Sequence, residues 1–259
     1  MKVTWEEPGW GGLGWERLAA GVGRCRLPGW DCTVGLVTGP GGALLVDAGS
    51  SLAEGARLRL EAQSLAGRRV DFLALTHPHF DHVFGAAAFA GAHVLAAGGA
   101  DGSGSEFGRS GREALCADAV RNGLDARTAE EAADTLVVPR QEVRRSLTVE
   151  LGDGGPEVAL WNVGPGHTSS DLVIVVPGNS DSDPTVVFCG DLVEESGDPQ
   201  AGPDAVPSHW PTALDRVLAL GGEDALYVPG HGAVVDAAFV RAQRDALARR
   251  FGVSREPVA

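Results

Sequence analysis

The stretch Thr76-His77-Pro78-His79-Phe80-Asp81-His82 sets three imidazoles and a carboxylate within six positions, directly after the apolar run Val70-Asp71-Phe72-Leu73-Ala74-Leu75. The whole chain has only seven histidines. Neutral imidazole and carboxylate are the donors that suit zinc and other first-row metals of intermediate softness. Pro78 pushes His77 toward extended geometry, and along an extended segment residues i and i+2 point the same way. His77 and His79 can therefore share one ion. Asp81 and His82 come where the chain turns into a helix, so they face a second point in the same hollow. One motif thus feeds two adjacent metal positions.

With 259 residues the chain can bury a sizeable core, and a single domain spanning 1–259 is ordinary for a layered fold of strands and helices. A hydrophobic content of 44% and a mean hydropathy near zero describe a soluble globular protein. No run approaches the roughly 18 apolar residues of a membrane helix, so no membrane partner is expected. The N-terminal Met1-Lys2-Val3-Thr4-Trp5-Glu6-Glu7-Pro8 lacks the apolar core of a signal peptide, which makes the cytoplasm the expected location. Cys25, Cys32, Cys116 and Cys189 show no paired metal spacing and read as buried, inert thiols.

The formal charge of −14 repels polyphosphate and argues against a nucleic-acid partner. Only Lys2 among 21 basic residues is lysine, which removes a P-loop and any Schiff-base mechanism away from the terminus. Gly9-Trp10-Gly11-Gly12-Leu13-Gly14 fits a dinucleotide fingerprint in letters, but no strand precedes it and no βαβ unit surrounds it. No G-x-S-x-G nucleophile elbow is present.

Periodicity predicts short strands over 13–49, a helix over 51–66 with Leu52, Ala56, Leu60 and Leu65 at helical spacing, and a strand at 70–76. A short helix near 83–90 and a strand at Ala92–Ala96 follow. The glycine-dense 98–111 reads as a surface loop, and 112–135 as helical. Strands are expected at 145–151, 157–163, 171–177, 185–190 and 225–228, with helices near 210–220 and 236–251. Strand-rich halves that each close with helices suggest two sheets face to face with helices outside.

Three further donors recur at strand ends: His167 in Gly166-His167-Thr168, Asp191 in Gly190-Asp191-Leu192, and His231 in Pro229-Gly230-His231-Gly232. Each follows an apolar strand and one or two small residues, where a rigid sheet holds a loop in place. Together with the histidine-rich motif and Leu45-Val46-Asp47-Ala48-Gly49, this set resembles the metallo-β-lactamase superfamily over nearly the whole chain. The resemblance implies an α+β fold, an αββα sandwich of two mixed β-sheets flanked by helices, with a dinuclear centre along one sheet edge. It also implies that His77, His79 and His167 hold a first Zn2+, that Asp81, His82 and His231 hold a second, and that Asp191 bridges the two. Fe or Mn are alternative ions.

Two such ions share a hydroxide that attacks a carbonyl or phosphoryl centre, and Asp81 can orient it or shuttle its proton as the catalytic residue. Asp47 reads as a buried partner fixing a ligand histidine. His93 reads as structural. His209 reads as a solvated loop or helix-start residue, with the pocket entrance as the other placing. The tryptophans Trp5, Trp10, Trp15 and Trp30 cover a sheet edge or core face, or else form a partner surface.

The expected activity is hydrolysis of a small ester, thioester or lactone. The zinc β-lactamases of the commonest class carry cysteine where this chain has Asp191, with a lysine shortly after. Glu194 and Glu195 stand there instead and repel a substrate carboxylate. The glyoxalase II-like thioesterases share the aspartate bridge but use a basic C-terminal extension for glutathione, and Arg241, Arg244, Arg249 and Arg250 on the last expected helix match no motif of it. Lactonases of the superfamily place a tyrosine by the site, whereas Tyr227, the sole tyrosine, leads into a strand and is expected to be buried. Two other readings are a mononuclear iron persulfide dioxygenase-like enzyme using His77, His167 and Asp191, and a metal-stabilised binding protein with little turnover. The segment 195–204 and the loop around 98–111 are expected to shape the entrance for a small-molecule substrate. Oligomeric state is not encoded in any motif.

Overall fold

The computed structural model describes residues 9, 10, 14–98, 105–180 and 183–253. Trp5 and residues 99–104 of the glycine-dense segment lie outside these residues. Strands β1 (Trp15–Ala19), β2 (Val22–Arg26), β3 (Thr33–Thr38), β4 (Ala43–Val46), β5 (Phe72–Leu75), β6 (His93–Ala97) and β7 (Gln141–Val143) form a seven-stranded sheet in that order. Pairing is antiparallel from β1 to β4 and parallel from β4 to β7. The second sheet runs β12 (Leu226–His231), β11 (Val186–Glu194), β10 (Asp171–Val176), β9 (Glu157–Gly164), β8 (Ser146–Glu150), with only β11 and β12 parallel.

Alternation along the strands builds the layers. In β4, Leu44 and Val46 join Leu160, Leu172, Ile174 and Phe188 in the core between the sheets, while Ala43 and Leu45 face outward. That outer face lies under α1 (Leu52–Ala66), the short α2 (Phe80–Val83), α3 (Arg109–Arg121) and α4 (Ala126–Asp134). In β10, Leu172 and Ile174 point inward, and Val173 and Val175 pack under α5 (Trp210–Gly221) and α6 (Ala237–Phe251). The result is the expected αββα sandwich. Among the described residues no helix is long and apolar enough to cross a membrane.

Several local expectations change. The helix expected near 83–90 is instead α2 followed by a 3-10 turn at Ala86–Phe89. The helical stretch 112–135 starts at Arg109, within the expected loop, and breaks into α3 and α4. Gly123 takes φ 97° between them, and Asp125 restarts the helix by accepting from the Thr128 N–H at 3.0 Å. Strand β7 was not anticipated; its three residues are too short for a periodic signal. The buried face of α1 is Gly55, Leu58 and Ala62, and Leu60 is 60% exposed. The reason is close backbone packing, because a Cβ on Gly55 would lie 2.2 Å from the Gly85 carbonyl oxygen. Tyr227 is fully buried as expected, and Trp10 and Trp15 are core residues.

The two sheets meet at the edge where the parallel strands end. The Leu172 N–H donates to the Thr76 carbonyl at 2.8 Å, and an isolated bridge pairs Cys32 with His231. The revised face of α1 makes a direct test: Leu58→Ala should cost about 2–5 kcal/mol in urea unfolding, and Leu60→Ala less than about 0.5 kcal/mol.

Candidate metal centre

The donors lie at or near strand ends along the meeting edge. His77, His79, Asp81 and His82 leave β5; His167 follows β9; Asp191 lies within β11 and His231 closes β12. Asp191 follows Gly190, which takes φ 54°. Across from it, a Cβ on Gly230 would lie 1.8 Å from Asp191 Oδ1, so only glycine leaves room for that carboxylate.

The five histidines each have one nitrogen tied outward. Thr76 donates its hydroxyl to Asp47 Oδ2 at 2.8 Å, which leaves that hydroxyl to accept from His77 Nδ1 at 2.9 Å. His82 Nδ1 donates to the same Asp47 oxygen at 2.8 Å. His231 Nδ1 donates to the Trp30 carbonyl at 2.7 Å, His167 Nδ1 to the Gln200 carbonyl at 3.1 Å, and His79 Nε2 to Asp204 Oδ2 at 2.9 Å. With the proton fixed on the outer nitrogen, each ring directs a lone pair inward. Asp47 holds φ 62°, a conformation uncommon for a residue with a side chain, and both its oxygens are engaged by Thr76.

The inward atoms fall into two sets that share one carboxylate. His79 Nδ1 and His167 Nε2 are 3.0 Å apart, and Asp191 Oδ2 is 3.6 Å from His77 Nε2 and 3.5 Å from His167 Nε2. Asp191 Oδ2 is also 3.2 Å from His231 Nε2, and Oδ1 is 3.2 Å from His82 Nε2. Asp81 Oδ2 closes the second set at 3.3 Å from His231 Nε2 and 3.6 Å from His82 Nε2. Ligands about 2.0–2.2 Å from one tetrahedral ion stand roughly 3.3–3.6 Å from each other. Most of these separations match that spacing.

Electrostatics divide the rings. Burial is outweighed at His79 by Asp204 and at His82 by Cys32 and Asp191, so both are raised. Burial pushes His77 well below the ordinary imidazole range and His167 down to about 4, so both rings stay neutral and keep a lone pair free. Burial disfavours charge on His231 too, but Asp191 outweighs it and raises that ring to about 9. Burial alone would raise Asp191; the surrounding His231, His82 and His77 hold its carboxyl well below the usual range. His77 Nε2 and Asp191 Oδ1 are buried without a hydrogen-bond partner. Cations at the two positions would satisfy both, so the donor set fits divalent metal. His77, His79, His167 and Asp191 could hold one ion, and Asp81, His82, His231 and Asp191 a second.

The centre forms the floor of a cavity of about 670 Å³ walled by Trp30, Phe80 and Leu115. His93 lies elsewhere, within hydrogen-bond distance of Gln141 at 3.0 Å, and His209 is an exposed residue capping α5. Composition and spacing did not single out Asp204, Gln200 or Cys32. The Cys32 thiol, pushed up to about 12 by burial, lies 3.7 Å from His82 Nδ1 and 3.9 Å from Nε2, and its sulfur stands with Asp81 and His82 in a further group of possible donors.

Two sheets packed under helices, with a His/Asp cluster at their common edge, define a hydrolase-like metal-binding fold. A family profile described as the metallo-beta-lactamase superfamily matches residues 27–231, and the chain belongs to that superfamily. It is 29% identical over 202 residues to metallo-beta-lactamase domain-containing protein 1 of Xenopus laevis, covering 78% of this chain and 71% of that protein. It is 32% identical over 99 residues to metallo-beta-lactamase type 2 of Bacteroides fragilis, covering 38% of this chain and 37% of that one. Among solved structures it resembles the metallo-beta-lactamase FIM-1 from Pseudomonas aeruginosa in its mono-zinc form, with TM-score 0.65, 20% identity, and coverage of 93% and 96% of the two chains. A metallo-beta-lactamase from Pontibacter korlensis is similar at TM-score 0.62 and 20% identity, with coverage of 90% and 97%.

If Asp191 is shared as its position suggests, Gly230→Ala should displace it. Metal retained through dialysis, measured by elemental analysis, should fall at least ~10-fold, with about 1–3 kcal/mol lost from the metal-free chain. Undiminished metal content would show that Asp191 is not shared.

Proposed function

We propose that the chain, over 1–259 as one domain, is a zinc-dependent hydrolase of a small ester, thioester or lactone. The observation that carries this reading is the shared position of Asp191 between two inward donor sets at the floor of an open cavity. When bound, a pair of divalent ions supplies Lewis acidity, polarising an acyl oxygen and lowering the pKa of water toward neutrality. The chain's own residues do the rest. Asp81, beside His231 and lining the cavity, orients the nucleophile or shuttles its proton through the carboxylate oxygen not turned to His231. Trp30 and Phe80, edge to face at 5.2 Å, give an apolar wall against which the acyl or leaving group packs and water is excluded.

The charge on the walls narrows the substrate. Besides the metal donors, Glu106, Asp118, Glu194, Asp198 and Asp204 line the cavity, and the one guanidinium among its described lining residues, Arg121, is taken up by Asp118 at 2.8 Å. No free cation among the described lining residues waits for a substrate carboxylate. This supports a neutral or cationic substrate and weighs against β-lactams, whose carboxylate would meet Glu194 and Asp198.

A second reading, a mononuclear iron enzyme acting on a persulfide, draws on the four-donor set His77, His79, His167 and Asp191 being complete by itself. Elemental analysis separates the two: about two zinc ions per chain favour hydrolysis, and one iron with oxygen uptake favours the oxygenase.

Across a panel of ester, thioester, lactone, phosphodiester and β-lactam substrates, one of the first three classes should turn over. Asp191→Ala should lower that rate by at least ~100-fold. For matched substrates, adding a carboxylate distant from the scissile bond should lower kcat/KM roughly 10-fold at low salt, with the gap narrowing as ionic strength rises. A preference for the anionic substrate would overturn the charge argument.

A further inference from the structure

We infer that the loop 196–206 is a clamp on the first metal position, with Asp204 as a positioning residue for His79; the inference rests on the metal reading above. Of the five outward ties, three go to Thr76, Asp47 and Trp30, in segments adjoining the seven-stranded sheet. The other two go to this one loop. Asp204 accepts from His79 Nε2 at 2.9 Å, and the Gln200 carbonyl accepts from His167 Nδ1 at 3.1 Å. The inner nitrogens of the same two rings, His79 Nδ1 and His167 Nε2, are the pair that stand 3.0 Å apart.

Asp204 decides which nitrogen of His79 carries the proton. A carboxylate at Nε2 holds the hydrogen there and leaves the Nδ1 lone pair facing inward; without it either tautomer is open and the ring can rotate. Its partner on the loop is a backbone carbonyl, which no side-chain substitution removes. The loop in turn is anchored at two points: the Val206 N–H donates to the Gly166 carbonyl at 3.0 Å, next to His167, and Arg250 donates to the Pro199 carbonyl at 2.7 Å. Pro199 and Pro203 restrict the backbone between these anchors.

The same loop walls the cavity through Ser196, Asp198, Gln200 and Pro203. The segment that meets the substrate is therefore also the segment that orients two of the three histidines of the first position. A loop movement that admits a substrate changes the ligand geometry there, and binding at either place alters the other by the same factor. Segment 195–204, expected from the sequence to select substrates, acquires a second role.

The test uses the full-length chain titrated with Zn2+ alone against a chromophoric chelator, and Co2+-loaded protein for its visible spectrum. Asp204→Ala should weaken the first ion about 10–100-fold, leave the second within about 3-fold, and shift the Co2+ bands. Asp204→Asn, which keeps an acceptor oxygen but not the charge, should fall between Ala and the parent. Asp198→Asn, on the same loop but away from the histidines, should leave Zn2+ affinity within about 2-fold. Thermal unfolding of each metal-free variant checks that the fold is retained, as expected for a side chain that is 44% exposed. Parent-like Zn2+ affinity and an unchanged Co2+ spectrum in Asp204→Ala would overturn the clamp alone. Failure of the unaltered chain to take up Zn2+ would overturn the clamp and the hydrolase reading together.

Discussion

Five imidazoles and two carboxylates have been withdrawn from water and turned toward one another, and that arrangement governs the rest of the molecule. Leaving a buried polar atom unpaired costs about 1–3 kcal/mol, and more when it is charged; His77 Nε2 and Asp191 Oδ1 are both in that state. Like charges or unpaired lone pairs at 3.2–3.6 Å do not stay together unless something holds them. Part of the holding is done from behind, by the outward hydrogen bonds of the five rings. The rest comes from the sandwich, whose parallel strands β4, β5 and β6 stop at one edge and deliver their loops there.

Much of this was legible in the sequence because its determinants are local. His167, Asp191 and His231 each follow an apolar strand and a small residue, and uniformly apolar runs such as Leu172–Val176 mark strands covered on both faces. Asp47, close to the histidine-rich motif in the sheet, could be read as a partner of a ligand ring. Other parts depend on long-range geometry. Asp204 is 125 positions from His79, and carbonyls of Trp30 and Gln200 carry no residue signature at all. The face of α1 was misjudged because Gly55 and Gly85 let two backbones approach, which pulls Leu58 inward and leaves Leu60 in water. Apolar spacing alone does not report so close an approach.

Fold and chemistry divide differently along the chain. The strand ends fix the donors and leave little freedom. The cavity walls, by contrast, come from α3, the Trp30 turn and the 196–206 loop, which the motifs do not specify. Their carboxylates give this chain an acidic mouth above a centre that would become cationic once loaded. On the proposed reading, a substrate entering it would meet opposite fields at its two ends, which would orient it.

The donors are divided between the two sheets: His77, His79, Asp81 and His82 on one side, His167, Asp191 and His231 on the other. Ions seated among them, as proposed, would fasten the halves of the sandwich as rivets do. Resistance to unfolding would then rise with free ion activity, by about 2.7 kcal/mol at a hundredfold excess over the dissociation constant of one site. Scarcity of metal in the surroundings would thus act on this protein as a mild denaturant, loosening the seam between the sheets.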